Sequence, residues 1–151
     1  MVKRTVFTLL IVTVLTGISN AQSTGLGLGI ILGEPTGISL KYWTERTTAF
    51  DAAVAWSVGK NGGMQFHGDY LWHNFTLFNV GKNQLPVYYG IGFKFGAGGE
   101  DPRVGIRGVA GLAYLMTSAP LDIFFELVPI LEISPDVGFG FNGAIGFRYF
   151  F

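Results

Sequence analysis

Hydrophobic residues recur at every second position along most of this chain. In residues 24–33, TGLGLGIILG, Leu26, Leu28, Ile30 and Leu32 share one face, and Gly25, Gly27, Gly29 and Gly33 share the other. Residues 36–43 set Ile38, Leu40 and Tyr42 against Ser39, Lys41 and Trp43. Residues 49–57 set Phe50, Val54 and Trp56 against Asp51, Ala53, Ala55 and Ser57. Residues 64–73 set Phe66, Tyr70 and Trp72 against Gln65, His67, Asp69 and His73. The pattern continues through 86–95, 103–114, 121–132 and 138–151, with Phe93, Ile106, Phe125 and Phe147 on the apolar face. Their counterparts on the other face include Lys94, Arg107, Glu126 and Arg148. A period of two is the signature of a strand with two unlike faces.

Clusters of Gly, Pro, Asn and Ser separate these segments, and the longest break is the one around NVGKNQ. No long run shows helical spacing. The eight segments bracket the ~9–11 residues of a tilted transmembrane strand. Short connectors favour antiparallel neighbours, and eight strands are enough to close a barrel. The predicted fold is therefore all-β: an eight-stranded antiparallel up-and-down transmembrane barrel.

Charge allocation bears on which face looks inward. Lys41, Asp51, Asp69, Lys94, Arg103, Arg107, Asp122, Glu126, Glu132 and Arg148 all fall on the Gly-rich face. The other charged residues beyond Ala21 fall in the breaks, and the apolar face carries none. A lipocalin-like soluble barrel would show the same period with the apolar face inside. Two arguments favour the opposite sense. Trp56, Trp72 and the many Phe and Tyr of the apolar face are bulky for an interior that eight strands leave only just wide enough to fill. A solvated exterior would rarely spend so much mid-strand Gly, which weakens strands. An exterior in lipid must be apolar, because a charge at the midplane costs ~2–4 kcal/mol. Closure would then satisfy every backbone group in a medium that offers no hydrogen bonds.

The N-terminus changes the picture in one respect. Lys3 and Arg4 precede an uncharged, mostly apolar run from Thr5 to Thr16, and Ser19 and Ala21 follow as small residues. That is the pattern of a helical secretory signal peptide over 1–21, which leaves 22–151 as the exported barrel. The apolar run is short against the ~20 residues that a membrane helix needs. Composition agrees with a wall of strands. There are 23 Gly in 151 residues, roughly twice the usual ~7%. The formal net charge is zero, which gives no electrostatic case for nucleic acid as a partner. Cysteine is absent, which removes thiolate catalysis, disulfides and Cys-ligated metals.

The chain ends on NGAIGFRYFF. Its Gly146, Tyr149 and Phe151 resemble the C-terminal assembly signal of bacterial outer-membrane barrels, while Ala144 departs from it at a position that is usually polar. Taken with GEPTGISLKYW, LPVYYGIGFKF and PLDIFFELVPIL, the chain from 22 to 151 resembles the small OmpA/OmpX-type barrels. More narrowly, it resembles a family of uncharacterised outer-membrane barrels. That resemblance implies residence in the bacterial outer membrane and no assigned activity. It implies two partners: the bilayer, and the assembly machinery acting through the last strand.

The candidate chemistry lies on the polar face. Lys41, Asp51, His67, Asp69, Lys94, Arg103, Arg107, Asp122, Glu126 and Arg148 are expected to form a polar network in the lumen. Turn-centred registers set Lys41 opposite Asp51, Asp51 opposite Asp69, Arg107 opposite Glu126 and Asp122 opposite Arg148. Arg103 with Glu132 is an alternative after a slip. Opposite charges can offset each other's desolvation in such a core.

His67 and His73 invite comparison with the lipid-A-modifying barrels, which need a His with a Ser or acidic partner at the lipid-exposed rim. Both fall instead on the lumen face, and simple register puts no Ser level with them. Metal binding by His67, Asp69 and His73 is disfavoured because 67 and 73 lie ~20 Å apart along a strand. Strings such as GLGLG are strand, with no following Lys-Ser/Thr or helix to make a phosphate loop. The expectation is thus a non-enzymatic outer-membrane barrel, structural or surface-interacting, with a packed polar lumen and no cofactor or metal. A minimal water or ion channel gated by lumen charge pairs is the alternative, and a lipid-A-modifying enzyme is the least favoured.

Overall fold

The computed structural model describes residues 25–34, 36–57, 63–98 and 101–151. The signal peptide expected over 1–21 lies outside them. Eight strands follow one another: β1 (Gly25–Gly33), β2 (Thr36–Trp43), β3 (Thr48–Ser57), β4 (Gly63–Asn74), β5 (Val87–Ala97), β6 (Arg103–Leu115), β7 (Leu121–Ser134) and β8 (Gly138–Phe150). Each pairs antiparallel with its neighbour in sequence, and β8 closes on β1, so the sheet is a closed barrel. Closure leaves the paired parts of the wall without a free edge.

The wall is staggered. Pairing leads from Gly27 through Lys41, Asp51, Asp69, Gly92, Arg107 and Ile130 to Gly140. Gly140 lies four residues past Ala144, the partner of Gly33, so one circuit advances ten residues along β1. Such a stagger tilts strands against the barrel axis, typically by ~35–45°. Residues at one height in the lumen therefore come from different pairing rows. A single irregularity, between Val104 and Gly105, gives β7 one extra residue opposite β6.

Faces are assigned as the alternation requires. Leu28, Leu40, Phe50, Phe66, Phe93, Ile106, Phe125 and Phe147 are exposed on the outer surface. Lys41, Asp51, Asp69, Arg107, Asp122, Glu126 and Arg148 are buried inside. The lumen also takes large apolar groups: Ile31, Leu71, Tyr88, Val109, Phe124, Val128 and Ile130 form one buried cluster. The room for Tyr88 and Phe124 comes from glycine. A Cβ on Gly111 would meet the Tyr88 ring at 2.5 Å, and one on Gly146 would meet the Phe124 ring at 2.4 Å.

The two ends of the barrel differ. At the lower end, where β1 begins and β8 ends, Trp43, Ala49 and Phe150 cluster, with Phe75 packed against them. Phe75 opens the longest connection, which folds back on the wall. Leu115 exchanges backbone hydrogen bonds with Gln84, at 2.8 and 3.1 Å. Asn83 donates to the Tyr114 hydroxyl and accepts from the Thr117 N–H. At the upper end the β1–β2 turn is tight. Gly33 adopts φ +127°, a conformation that suits glycine. The Thr36 hydroxyl donates to the Gly33 carbonyl at 3.0 Å.

Candidate functional site

The lumen glycines have a specific use. Asp69 on β4, Gly92 on β5 and Arg107 on β6 share one pairing row. Arg107 Nε donates to Asp69 Oδ1 at 2.8 Å, across β5. A Cβ on Gly92 would lie 2.0 Å from that same oxygen. The arrangement recurs. Tyr88 and Glu126 flank Gly111, and the Tyr88 hydroxyl donates to Glu126 Oε1 at 2.8 Å. Lys94 and Glu132 flank Gly105, and Lys94 Nζ donates to Glu132 Oε1 at 2.8 Å. Ser39 and Arg148 flank Gly29, and Arg148 Nε donates to Ser39 Oγ at 3.0 Å. In each case two long or polar side chains, two strands apart, meet over a strand that has no side chain at that point.

Arg148 is the hub. Its other nitrogens donate to Asp51 Oδ2 at 3.0 Å and Asp122 Oδ2 at 3.4 Å. Its guanidinium lies 3.8 Å from the centre of the Phe124 ring. A planar cation with five donors suits this position, where it faces two carboxylates, a hydroxyl and a ring. Arg148 and Asp122 are each almost wholly buried. Removing either partner of such a pair would leave an uncompensated charge in the core.

Nearer the lower end, Lys41 Nζ donates to His73 Nε2 at 2.8 Å. His73 Nδ1 lies 3.1 Å from the Thr47 carbonyl. A carbonyl can only accept, so Nδ1 carries the proton and Nε2 is free to accept from lysine. The Lys41 ammonium also sits over the Trp43 ring at 4.4 Å and the Tyr88 ring at 5.2 Å. Rings supply a cation with partial compensation where water is scarce.

His67 stands apart from these bonds. Its Nε2 is 4.0 Å from both Asp51 Oδ1 and Asp69 Oδ2, beyond hydrogen-bond distance. Its Nδ1 is buried with no hydrogen-bond partner among the described residues. The ligand atoms of Asp51, His67 and Asp69 lie within 4.8 Å of one another.

Several sequence expectations need correction. The register does set Lys41 opposite Asp51, Asp51 opposite Asp69 and Asp122 opposite Arg148. Arg107, however, pairs with Ile130, and Glu126 pairs with Gly111. Arg107 thus goes to Asp69 and not to Glu126. The alternative of Arg103 with Glu132 also fails, since Glu132 is held by Lys94. Arg103 is half-buried in the upper rim beside Gly96. Among the described residues it makes no ion pair with the network, whose other nine expected members are buried.

Asp51 of β3 pairs directly with Asp69, and it is Asp51, not His73, that converges with His67 and Asp69. Ser39 does share a pairing row with His67, through Ala53, contrary to the simple register. Its hydroxyl is engaged by Arg148. Ser39, Tyr88, Glu132 and His73 are network members outside the expected set. For Ser39, Tyr88 and Glu132 the signal in the sequence is a glycine at the lumen position between two polar residues, legible only once the register is known, whereas His73 meets Lys41 across β3, which has no glycine.

At the C-terminus, Gly146 is buried against Phe124, while Tyr149 and Phe151 meet edge to face at 5.1 Å. The Phe151 N–H donates to the Leu26 carbonyl at 2.9 Å, which ties the last residue to β1.

No protein-family model and no curated protein matches the chain. Among solved structures, the crystal structure of the N-terminal β-barrel domain of Pseudomonas aeruginosa OprF matches with a TM-score of 0.61 and 14% sequence identity. The match covers 87% of this chain and all of that one. The closed wall of eight antiparallel strands and this likeness together give the chain the eight-stranded antiparallel β-barrel fold that the OprF domain also has.

Proposed function

We propose that this chain is a non-enzymatic protein of the bacterial outer membrane, in which the barrel serves as a structural or surface-interacting unit and the polar lumen serves as its core. One observation carries the reading. Apart from Asn74 at the rim, exposed outward positions along the strands are apolar or aromatic, and Lys41, Asp51, Asp69, Arg107, Asp122, Glu126 and Arg148 are sealed inside. Only a medium that rejects charge and backbone polarity rewards that distribution. The bilayer is therefore the principal partner. Export through the signal peptide of 1–21 and assembly through Gly146, Tyr149 and Phe151 complete the proposal.

The packing of the lumen supports a non-conducting barrel. Its charges are bonded to one another and to polar side chains, several of them over glycines, and Trp43, Phe75 and Phe150 fill the lower end. A minimal channel would need these contacts to part. The engaged Ser39 and the inward His67 and His73 weigh against lipid chemistry at the rim. The test is biochemical fractionation. The protein is expected in outer membranes, with a gel mobility in detergent that changes on heating. Recovery of a folded, soluble monomer without detergent would refute the proposal.

A further inference from the structure

We propose that Asp51, His67 and Asp69 form a buried site for one divalent cation of the zinc, cobalt and manganese class. Asp51 and Asp69 are directly paired on adjacent strands, a placement of like charges that is unfavourable unless a cation compensates it. Each carboxylate gives one oxygen to an arginine: Asp51 Oδ2 to Arg148 and Asp69 Oδ1 to Arg107. That leaves Asp51 Oδ1 and Asp69 Oδ2 turned toward His67 Nε2, 4.0 Å from each.

A second observation is independent of the acidic pair. His67 is only 4% exposed. Neither of its ring nitrogens has a hydrogen bond to any described residue, and Nδ1 is wholly enclosed. A buried imidazole normally finds a partner. Here its Nε2 is aimed between two carboxylate oxygens and stops short of both. With the three atoms within 4.8 Å of one another, an ion equidistant from them would lie about 2.5 Å from each. A contraction of a few tenths of an ångström reaches the ~2.0–2.2 Å of zinc–nitrogen and zinc–oxygen bonds.

The donor set selects the class. One imidazole and two carboxylates suit borderline first-row divalent ions, whereas calcium and magnesium prefer oxygen alone. Arg107 and Arg148 act as outer partners that orient the carboxylates, as such groups do at metal centres. Their positive charge opposes the ion. The inner set holds one more carboxylate (Asp51, Asp69, Asp122, Glu126, Glu132) than cation (Lys41, Lys94, Arg107, Arg148). A divalent ion reverses that small imbalance without enlarging it.

The site is enclosed, so the ion must enter as the barrel folds. The full chain is unfolded in urea with chelator, then refolded in detergent with zinc or cobalt, and free metal is removed. About one ion per folded barrel is expected, with a visible cobalt spectrum that reports a nitrogen ligand. His67→Gln and Asp69→Asn should each lower retained metal about tenfold. His73→Gln, whose residue is engaged by Lys41, should retain it. As a second readout, zinc should raise the urea midpoint of the native chain, and magnesium should not. A native barrel that folds with heat-modifiable mobility yet holds less than about a tenth of an equivalent, with no zinc-dependent shift, overturns the proposal. So does metal that persists undiminished in folded His67→Gln.

Discussion

Arg107 reaches Asp69 across β5 because Gly92 leaves that strand bare between them, and Nε and Oδ1 meet at 2.8 Å. The position demands glycine for want of space. A Cβ there would sit 2.0 Å from Asp69 Oδ1 and 2.1 Å from the Gly68 carbonyl. Backbone on one side and a pinned carboxylate on the other leave little to yield. Gly92→Ala should therefore cost about 2–3 kcal/mol, within the range for overpacking a well-filled core. A Cβ at Gly138 would have nothing within 4 Å. Gly138→Ala is the matched control and should stay within about 0.5 kcal/mol of the parent. Urea unfolding of the refolded barrel in detergent or vesicles measures both.

The same pair can be probed by its charges. Arg107→Met alone leaves the Asp69 carboxylate buried beside Asp51 without its cation, and should cost about 3–5 kcal/mol. Asp69→Leu alone strands the guanidinium at a similar cost. The double substitution removes both charges and should be much less harmful than the sum of the singles. Equal, additive losses in the cycle would mean that the pair carries no coupling.

Tyr88 and Glu126 meet over Gly111, where the hydroxyl donates to Glu126 Oε1 at 2.8 Å. Tyr88→Phe keeps the ring and removes the donor. The Glu126 carboxylate is then buried with no hydrogen-bond donor among the described residues. A loss of about 1–3 kcal/mol is expected, since an orphaned buried acceptor forfeits its desolvation cost. Tyr88→Phe with Glu126→Gln should recover part of it. An unfolding midpoint for Tyr88→Phe equal to the parent's would show that the bond contributes nothing.

The outer face gives a test that distinguishes lipid from water. Ile91 and Phe93 point outward on β5 and are 57% and 61% exposed. On a water-facing surface, Ile91→Arg would change stability by less than about 0.5 kcal/mol. On a lipid-facing one, near the midplane, it should cost about 2–4 kcal/mol. Reversible folding into phospholipid vesicles reads the difference directly. Phe139→Arg, far along β8 toward the upper rim, should cost only about 0–1 kcal/mol.

Assembly in the cell can be separated from intrinsic folding at the last residue. Phe151 packs on Tyr149 and ties its N–H to Leu26. The Phe151→Asp variant should keep its backbone bond and refold in detergent at close to the parental yield. Its level in outer membranes should fall severalfold, as measured by immunoblot of fractions. An unchanged membrane level would remove the case for an assembly signal at Gly146, Tyr149 and Phe151.

Much of this architecture was legible in the order of residues. The period of two separated Leu40, Phe93 and Phe147 from Lys41, Lys94 and Arg148, because successive side chains of a strand must point opposite ways, and the bulk of the aromatic face with the mid-strand glycine of the other sent the first set outward. The breaks at Gly, Pro and Asn placed every strand boundary within two residues of its observed position. An even number of segments with short connectors then left an antiparallel closed sheet as the natural arrangement.

What the sequence left open was which lumen residues touch. Pairing Arg107 with Glu126 assumed that partners sit on adjacent strands in register. The structure joins Arg107 to Asp69, Tyr88 to Glu126, Lys94 to Glu132 and Arg148 to Ser39, each across an intervening glycine. That reach depends on the stagger of the whole wall and on the curvature that turns alternate strands toward one another. Both are properties of closure and belong to no single segment. Alternation is a local consequence of backbone geometry and so can be read from neighbours in the chain. The contacts inside a narrow cylinder are set by all eight strands at once, and only the folded barrel decides them.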